Sequence, residues 1–150
     1  TSQDVAEKIK TALKAGIAPL VCFGEKERDT DGEHFDILRH DLKNLLSGMS
    51  KGEVSKIALA YEPAWAIGKH SKDAIDHLEL AQTIVFIKKA LADLFGRSIA
   101  EKVPILYGGS VEPDNAGELM RNSGVRGFLI GHASLNAKSF EAIARSITSK

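Results

Sequence analysis

The chain has 150 residues, 43% of them hydrophobic and 27% charged, enough for one domain with a packed core and too apolar for a disordered segment. Its 20 basic and 20 acidic residues cancel, so neither a basic field for nucleic acid nor an acidic tail is present. Cys22 is the only cysteine, which excludes an internal disulfide and fits a reducing, cytoplasmic setting. No apolar run approaches the roughly 20 residues of a membrane span, and the opening residues show no signal-peptide pattern. The chain opens on Thr1 rather than Met, directly into a helical pattern, so a segment removed upstream is expected.

Val5, Ile9, Ala12 and Leu13 recur at helical spacing, and Gly16 follows as a stop. "APLVCFGE" (Ala18 to Glu25) reads as a short apolar strand. The polar stretch "KERDTDGE" then leads to a second helix with Phe35, Leu38, Leu42, Leu45 and Leu46 on one face. Lys56 to Glu62 is a second strand. A third helix starts near Asp76, where Asp76 and Glu79 have capping-box spacing, carries Leu78, Ala81, Val85, Leu91 and Leu94, and stops at Gly96. Val103 to Ser110 is a third strand, and Pro113 suits the first turn of a short helix holding Leu119 and Met120. Gly127 to Gly131 reads as a fourth strand, and a last helix runs from about Ala137 to Ile147.

Strands that are apolar throughout, alternating with helices, indicate parallel βα units in a sheet covered on both faces. Four such units follow one leading helix at residues 1–16, in a single domain over residues 1–150 without repeats or linkers.

In this architecture ligands bind at the carboxyl ends of the strands. Those ends read "CFGEKE", "AYEPAWAIGKHS", "LYGGSVEP" and "LIGHASL". Three are rich in glycine and small hydroxyl residues, a composition that lets backbone N–H groups approach an oxyanion. The other presents Glu62 beside Pro63 and Trp65, an apolar setting of the kind that strengthens a carboxylate base. A base facing an anion-binding rim points to proton abstraction from a small phosphorylated substrate.

At these motifs the chain resembles the triosephosphate isomerase family. "AYEPAWAIG" is similar to its signature around the catalytic glutamate and mobile lid. "ILYGGSV" with "PDNAGEL" resembles its seventh strand, phosphate loop and next helix, "GFLIGHASL" its eighth strand and phosphate turn, and "LVCFGE" its fifth strand. The resemblance implies the C-terminal half of a parallel (β/α) barrel, with only the last four βα units present. It implies that Glu62 is the base interconverting dihydroxyacetone phosphate and glyceraldehyde 3-phosphate. Pro63, Ala64 and Trp65 become the front hinge of a lid that continues through Ala66, Ile67, Gly68, Lys69, His70 and Ser71. Gly68 and Ser110 become phosphate donors, and Gly131 with His132 completes the cradle.

No metal or organic cofactor is implied. The partners implied are a small phosphorylated triose, with neither nucleic acid nor membrane, and either self-association or pairing with an N-terminal half. Homodimers form in the full-length family.

Two positions depart from the family pattern: Gly131-His132 stands where Gly-Gly is usual, and Lys69-His70-Ser71 where a T-G-K-like run is usual. His tolerates positive φ better than most side chains, which is the expected reason that position 132 accepts it. A complete barrel of this type has eight strands and about 250 residues. The substrate-binding lysine and asparagine and the electrophilic histidine of the family belong to the first half, so this chain is expected to hold half of a site and to be inactive alone. Two rival readings stay open: a non-catalytic phosphate-binding half-barrel that self-associates, and another barrel enzyme acting on a phosphorylated substrate.

Other candidates have plainer readings. Cys22 is expected to be a buried structural thiol, since no base accompanies it. Trp65 is expected to pack the loop. Asp29, Asp31 and Glu33 lack the full calcium-loop pattern and read as a solvated turn. His34 and His40 are expected at the surface, and Lys69, His70 and Lys72 as solvated lid charges.

Overall fold

The computed structural model describes residues 1–68 and 74–148. Helix α1 (Ser2–Lys14) leads to strand β1 (Leu20–Phe23); α2 (Glu33–Leu45) and the short α3 (Lys51–Val54) precede β2 (Ala58–Tyr61). Helices α4 (His77–Phe95) and α5 (Arg97–Lys102) precede β3 (Ile105–Tyr107), and α6 (Ala116–Asn122) and α7 (Ala137–Thr148) follow it. The strands pair in parallel in the order β1-β2-β3, with Cys22, Ala60 and Leu106 in one row and Phe23, Tyr61 and Tyr107 in the next.

Because side chains alternate along a strand, each row faces one side. Val21, Phe23, Leu59, Tyr61, Ile105 and Tyr107 form the buried face. Leu38 and Leu42 of α2 and Leu80, Ile84, Ile87 and Leu91 of α4 join them in one core. Fully burying a side chain of this size contributes about 1.5–3 kcal/mol, so this layer carries most of the stability. The other face of the sheet is more open: Leu20 is 40% exposed, Cys22 is exposed, Ala58 and Leu106 are half-buried, and only the small central Ala60 is fully buried.

Several expectations need correction. The fourth strand over 127–131 is reduced to a single bridge, Tyr107 with Phe128. Arg126 N–H donates to Ile105 O at 2.8 Å, and Leu129 N–H to Tyr107 O at 2.9 Å. No described strand flanks the segment's other side, so the ladder is held from one side only.

On α4 the stripe with Leu78 and Val85 faces outward, at 63% and 69% exposure. This helix carries two apolar stripes, and the one with Leu80, Ile84, Ile87 and Leu91 meets the sheet. Pro113 precedes α6 rather than opening it, since the helix begins at Ala116 after Asn115. The side chain of Asn115 is committed to the preceding loop instead. Cys22 is exposed because it lies on the open face, and His34 is buried rather than superficial.

The His34 burial comes from the α2 start. Asp29 accepts backbone N–H bonds from Asp31, Glu33 and His34, and its Oδ2 meets His34 Nδ1 at 2.9 Å. Burial alone opposes the charge on Asp29, but these bonds outweigh it and hold the carboxyl well below its usual range. The carboxylate is a helix cap, and the solvated-turn reading holds only for exposed Asp31 and Glu33.

Candidate functional site

Glu62 follows β2 directly, and its N–H donates to Phe23 O at 2.8 Å, extending the β1 pairing by one residue. The chain around it is crowded. A Cβ on Gly24 would run into the Glu62 carbonyl, and one on Gly108 would lie 2.6 Å from Glu62 Cγ and 2.8 Å from Oε1. Only glycine lets β1 end this close to the Glu62 backbone and β3 this close to its carboxylate. Glu62 is half-buried and forms no ion pair with a described residue. Partial burial, then the charge of Glu62 and a hydrogen bond to it, push the Cys22 thiol up to about 11. That thiol is a poor nucleophile beside a carboxylate.

The residues after Glu62 are tied down from below. Pro63 is buried, Ala64 N–H donates to Glu25 O at 2.9 Å, and Ala64–Ala66 form one tight 3-10 turn. Glu25 is 1% exposed, and its Oε1 accepts from Tyr61 Oη at 2.8 Å, Trp65 Nε1 at 2.9 Å and Arg28 at 3.1 Å. Arg28 also donates to Tyr61 Oη and Thr83 Oγ1, and its guanidinium sits 5.7 Å from the Trp65 ring centre. Burial and then the Glu25 charge push the Tyr61 phenol far above its ordinary value, so it stays a donor. Trp65 packs the loop, as expected, and also donates to this hub.

The hub of Glu25, Arg28 and Tyr61 was not anticipated. Glu25 lies inside the "CFGEKE" stretch, but its partners are up to 40 residues away and nothing local announces them. Ala66 is fully buried, whereas Ile67 and Gly68 emerge at the surface, Gly68 with φ 71°. Lys69, His70 and Ser71, the back half of the expected lid, and Lys72 lie outside the described residues.

The loops after β3 and the Phe128 bridge meet Gly68 around a cavity of about 400 Å³, whose wall includes Gly68, Gly108, Ser110, Glu112, Gly131 and His132. All four expected anion-binding residues therefore share one cavity, and the Glu62 carboxylate rests against Gly108 of its wall. Asn115 shapes the first loop, accepting from Glu112 N–H at 2.9 Å and donating to Ser110 O at 3.1 Å. Its place in "PDNA", an Asn at a loop end before a helix, was the available signal. Ser134 closes the second loop, its N–H and Oγ both donating to Gly131 O. No described non-glycine residue has positive φ, so His132 sits there without needing the tolerance expected of it.

A carboxylate beside a cavity lined by glycine backbone and a hydroxyl suits proton transfer on a small anionic molecule. Comparison with known proteins bears on which family builds such a site. The chain matches the family model described as triosephosphate isomerase over residues 1–147. The triosephosphate isomerase of Geobacter metallireducens is 43% identical over 145 residues, covering 95% of this chain and 57% of that protein. That of Dehalococcoides mccartyi strain 195 is 45% identical over 146 residues, covering 97% and 56%.

The crystal structure of triosephosphate isomerase from Bartonella henselae superposes with a TM-score of 0.81 at 34% identity, over 99% of this chain and 59% of that one. The chain thus spans a little over half the length of these relatives. From its first turn to its last helix, it belongs to the triosephosphate isomerase family.

Proposed function

We propose that this chain supplies the base, the lid's front hinge and the phosphate cradle of an enzyme that interconverts dihydroxyacetone phosphate and glyceraldehyde 3-phosphate. The observation that carries the reading is the Glu62 carboxylate against Gly108, on the wall of the cavity shared by Gly68, Ser110, Gly131 and His132. In this reading the phosphate sits among the backbone N–H groups of Gly68, Gly131 and His132 and the Ser110 hydroxyl. The carbon chain then runs toward Glu62.

The Glu62 carboxylate takes the proton from the hydroxymethyl carbon beside the ketone, leaving an enediolate and a protonated Glu62. Once the hydroxyl proton of that carbon has passed to the former ketone oxygen, returning the proton held by Glu62 to the neighbouring carbon gives the aldehyde, and no redox partner or cofactor enters the balance. Charge developing on the enediolate oxygens needs electrophilic donors, which the family keeps in the part not matched by this chain. A lid running from Pro63 through Ser71 excludes water and protects the enediolate from losing phosphate. The natural partner is then an N-terminal half-barrel, joined or separate, in the cytoplasm, and the completed protein is a homodimer.

The test is an isomerase assay on the purified chain, alone and mixed with a matching N-terminal half. Turnover is expected only in the mixture, and Glu62→Gln in this chain abolishes it. Turnover by the chain alone that survives Glu62→Gln contradicts the reading. No turnover in a stable mixture favours a phosphate-binding half-barrel without catalysis.

A further inference from the structure

The cavity has an electrostatic gap. None of the described residues lining it is a lysine or arginine, while Glu112 contributes a carboxylate to its wall. Among the described lining residues, a phosphate dianion held there by backbone amides and one hydroxyl meets no compensating full charge. Among the described lining residues, only His132 carries a side chain able to become a cation. It is exposed, and it also borders the neighbouring open cavity with Glu112 and Asp114. Its backbone imposes no demand for glycine, since no described non-glycine residue has positive φ.

We infer that the His132 imidazole is itself an anion contact, and that its protonation makes this cradle bind phosphorylated ligands more tightly below neutral pH than above it. The inference rests on the cradle reading above and adds a side chain where the family pattern has none. Free imidazole gains its charge between about pH 5 and 8, which sets the two pH values of the test. Glu112 and Asp114, on the loop facing it, are the carboxylates nearest the ring among the residues bordering the open cavity, and they oppose the anion. Asn136 and Ser139, which border the open cavity from the other side, carry no charge. Lys69 and His70 follow Gly68 outside the described residues. Comparing position-132 variants in one background cancels the contributions of all four charged neighbours.

Sulfate is the probe, because it stays a dianion across this range whereas phosphate titrates within it. Calorimetric titration of the 150-residue chain at constant ionic strength is run at about pH 5.5 and about pH 8, with Ser110 and Gly131 amide shifts as a second readout. The native chain is expected to bind sulfate about two- to fivefold more tightly at the lower pH, the worth of one exposed charge pair. His132→Gly flattens that ratio, and His132→Lys binds tightly at both pH values. An equal pH ratio in the native chain and His132→Gly overturns the inference while leaving the cradle standing. If sulfate moves neither the Ser110 nor the Gly131 amide in any variant, the cradle reading falls and the inference with it.

Discussion

The two faces of the sheet are built from the same three strands and have opposite fates. Toward the helices, Leu59, Tyr61, Ile105 and Tyr107 are sealed at 0% exposure. On the other side Leu20 keeps 40% of its surface, and exposed Cys22 lies in one row with Ala60 and Leu106. The sealed face is completed by α2 and α4 of this chain. The open face carries the functional candidates at its rim, so stability and chemistry sit on opposite sides of one sheet. Apolar surface left in water costs about 25 cal/mol per Å², which favours covering this face with another layer.

The largest effect separates the faces directly. Leu59→Ala is expected to lower unfolding free energy by about 2–5 kcal/mol in urea denaturation, because it opens a cavity in a closed core. Leu20→Ala is expected to change it by under about 1 kcal/mol in the isolated chain. Equal costs would mean the open face is already packed.

Next in size is the hub beneath the Ala64–Ala66 turn. Glu25→Gln leaves Arg28 without its carboxylate in a largely buried place but keeps an acceptor oxygen, and is expected to cost about 1–3 kcal/mol. Trp65, the only tryptophan, should report the change as an emission shift, since its Nε1 donates to the same oxygen. An unchanged spectrum would place the hub outside the hinge.

A smaller free-energy effect concerns assembly. β1 and the Phe128 segment are the sheet's two margins, and unpaired strand edges template pairing with another chain. Light scattering of the isolated chain is expected to give a mass above that of one copy, and Leu20→Lys to reduce it. A stable monomer with protected amides along both margins would contradict this.

The smallest effect is chemical. A thiol pushed up to about 11 holds little thiolate near pH 8, so Cys22 should alkylate slowly despite its exposure. Glu62→Gln removes the neighbouring charge, lowers the thiol's proton affinity and should accelerate alkylation a few-fold. No acceleration would separate the two side chains.

The sequence disclosed the three paired strands because each is a short apolar run between turn signals, and it singled out the loops that border the cavity because they are glycine-rich positions in fixed order. What stayed hidden depends on distance or on competition between equal signals. "KERDTDGE" reads as solvated, yet Arg28 is drawn in by Glu25, Tyr61 and Thr83. α4 has apolar residues on two stripes, and only the sheet chooses between them. The short α3 was legible and overlooked: Ser50 and Glu53 form a capping box, each accepting a hydrogen bond from the other's backbone N–H. Cys22 has the local pattern of a buried residue, and its exposure follows from its place on the sheet face turned away from α2 and α4.

The central claim is that Glu62 moves the proton. Incubating dihydroxyacetone phosphate in deuterium oxide with the chain and its complementary half tests this directly, because a base that exchanges its proton with solvent writes deuterium onto the substrate's hydroxymethyl carbon. Deuterium incorporation is predicted for the native chain, and its loss for Glu62→Gln with sulfate binding retained. Incorporation that continues at the native rate in Glu62→Gln would contradict the account.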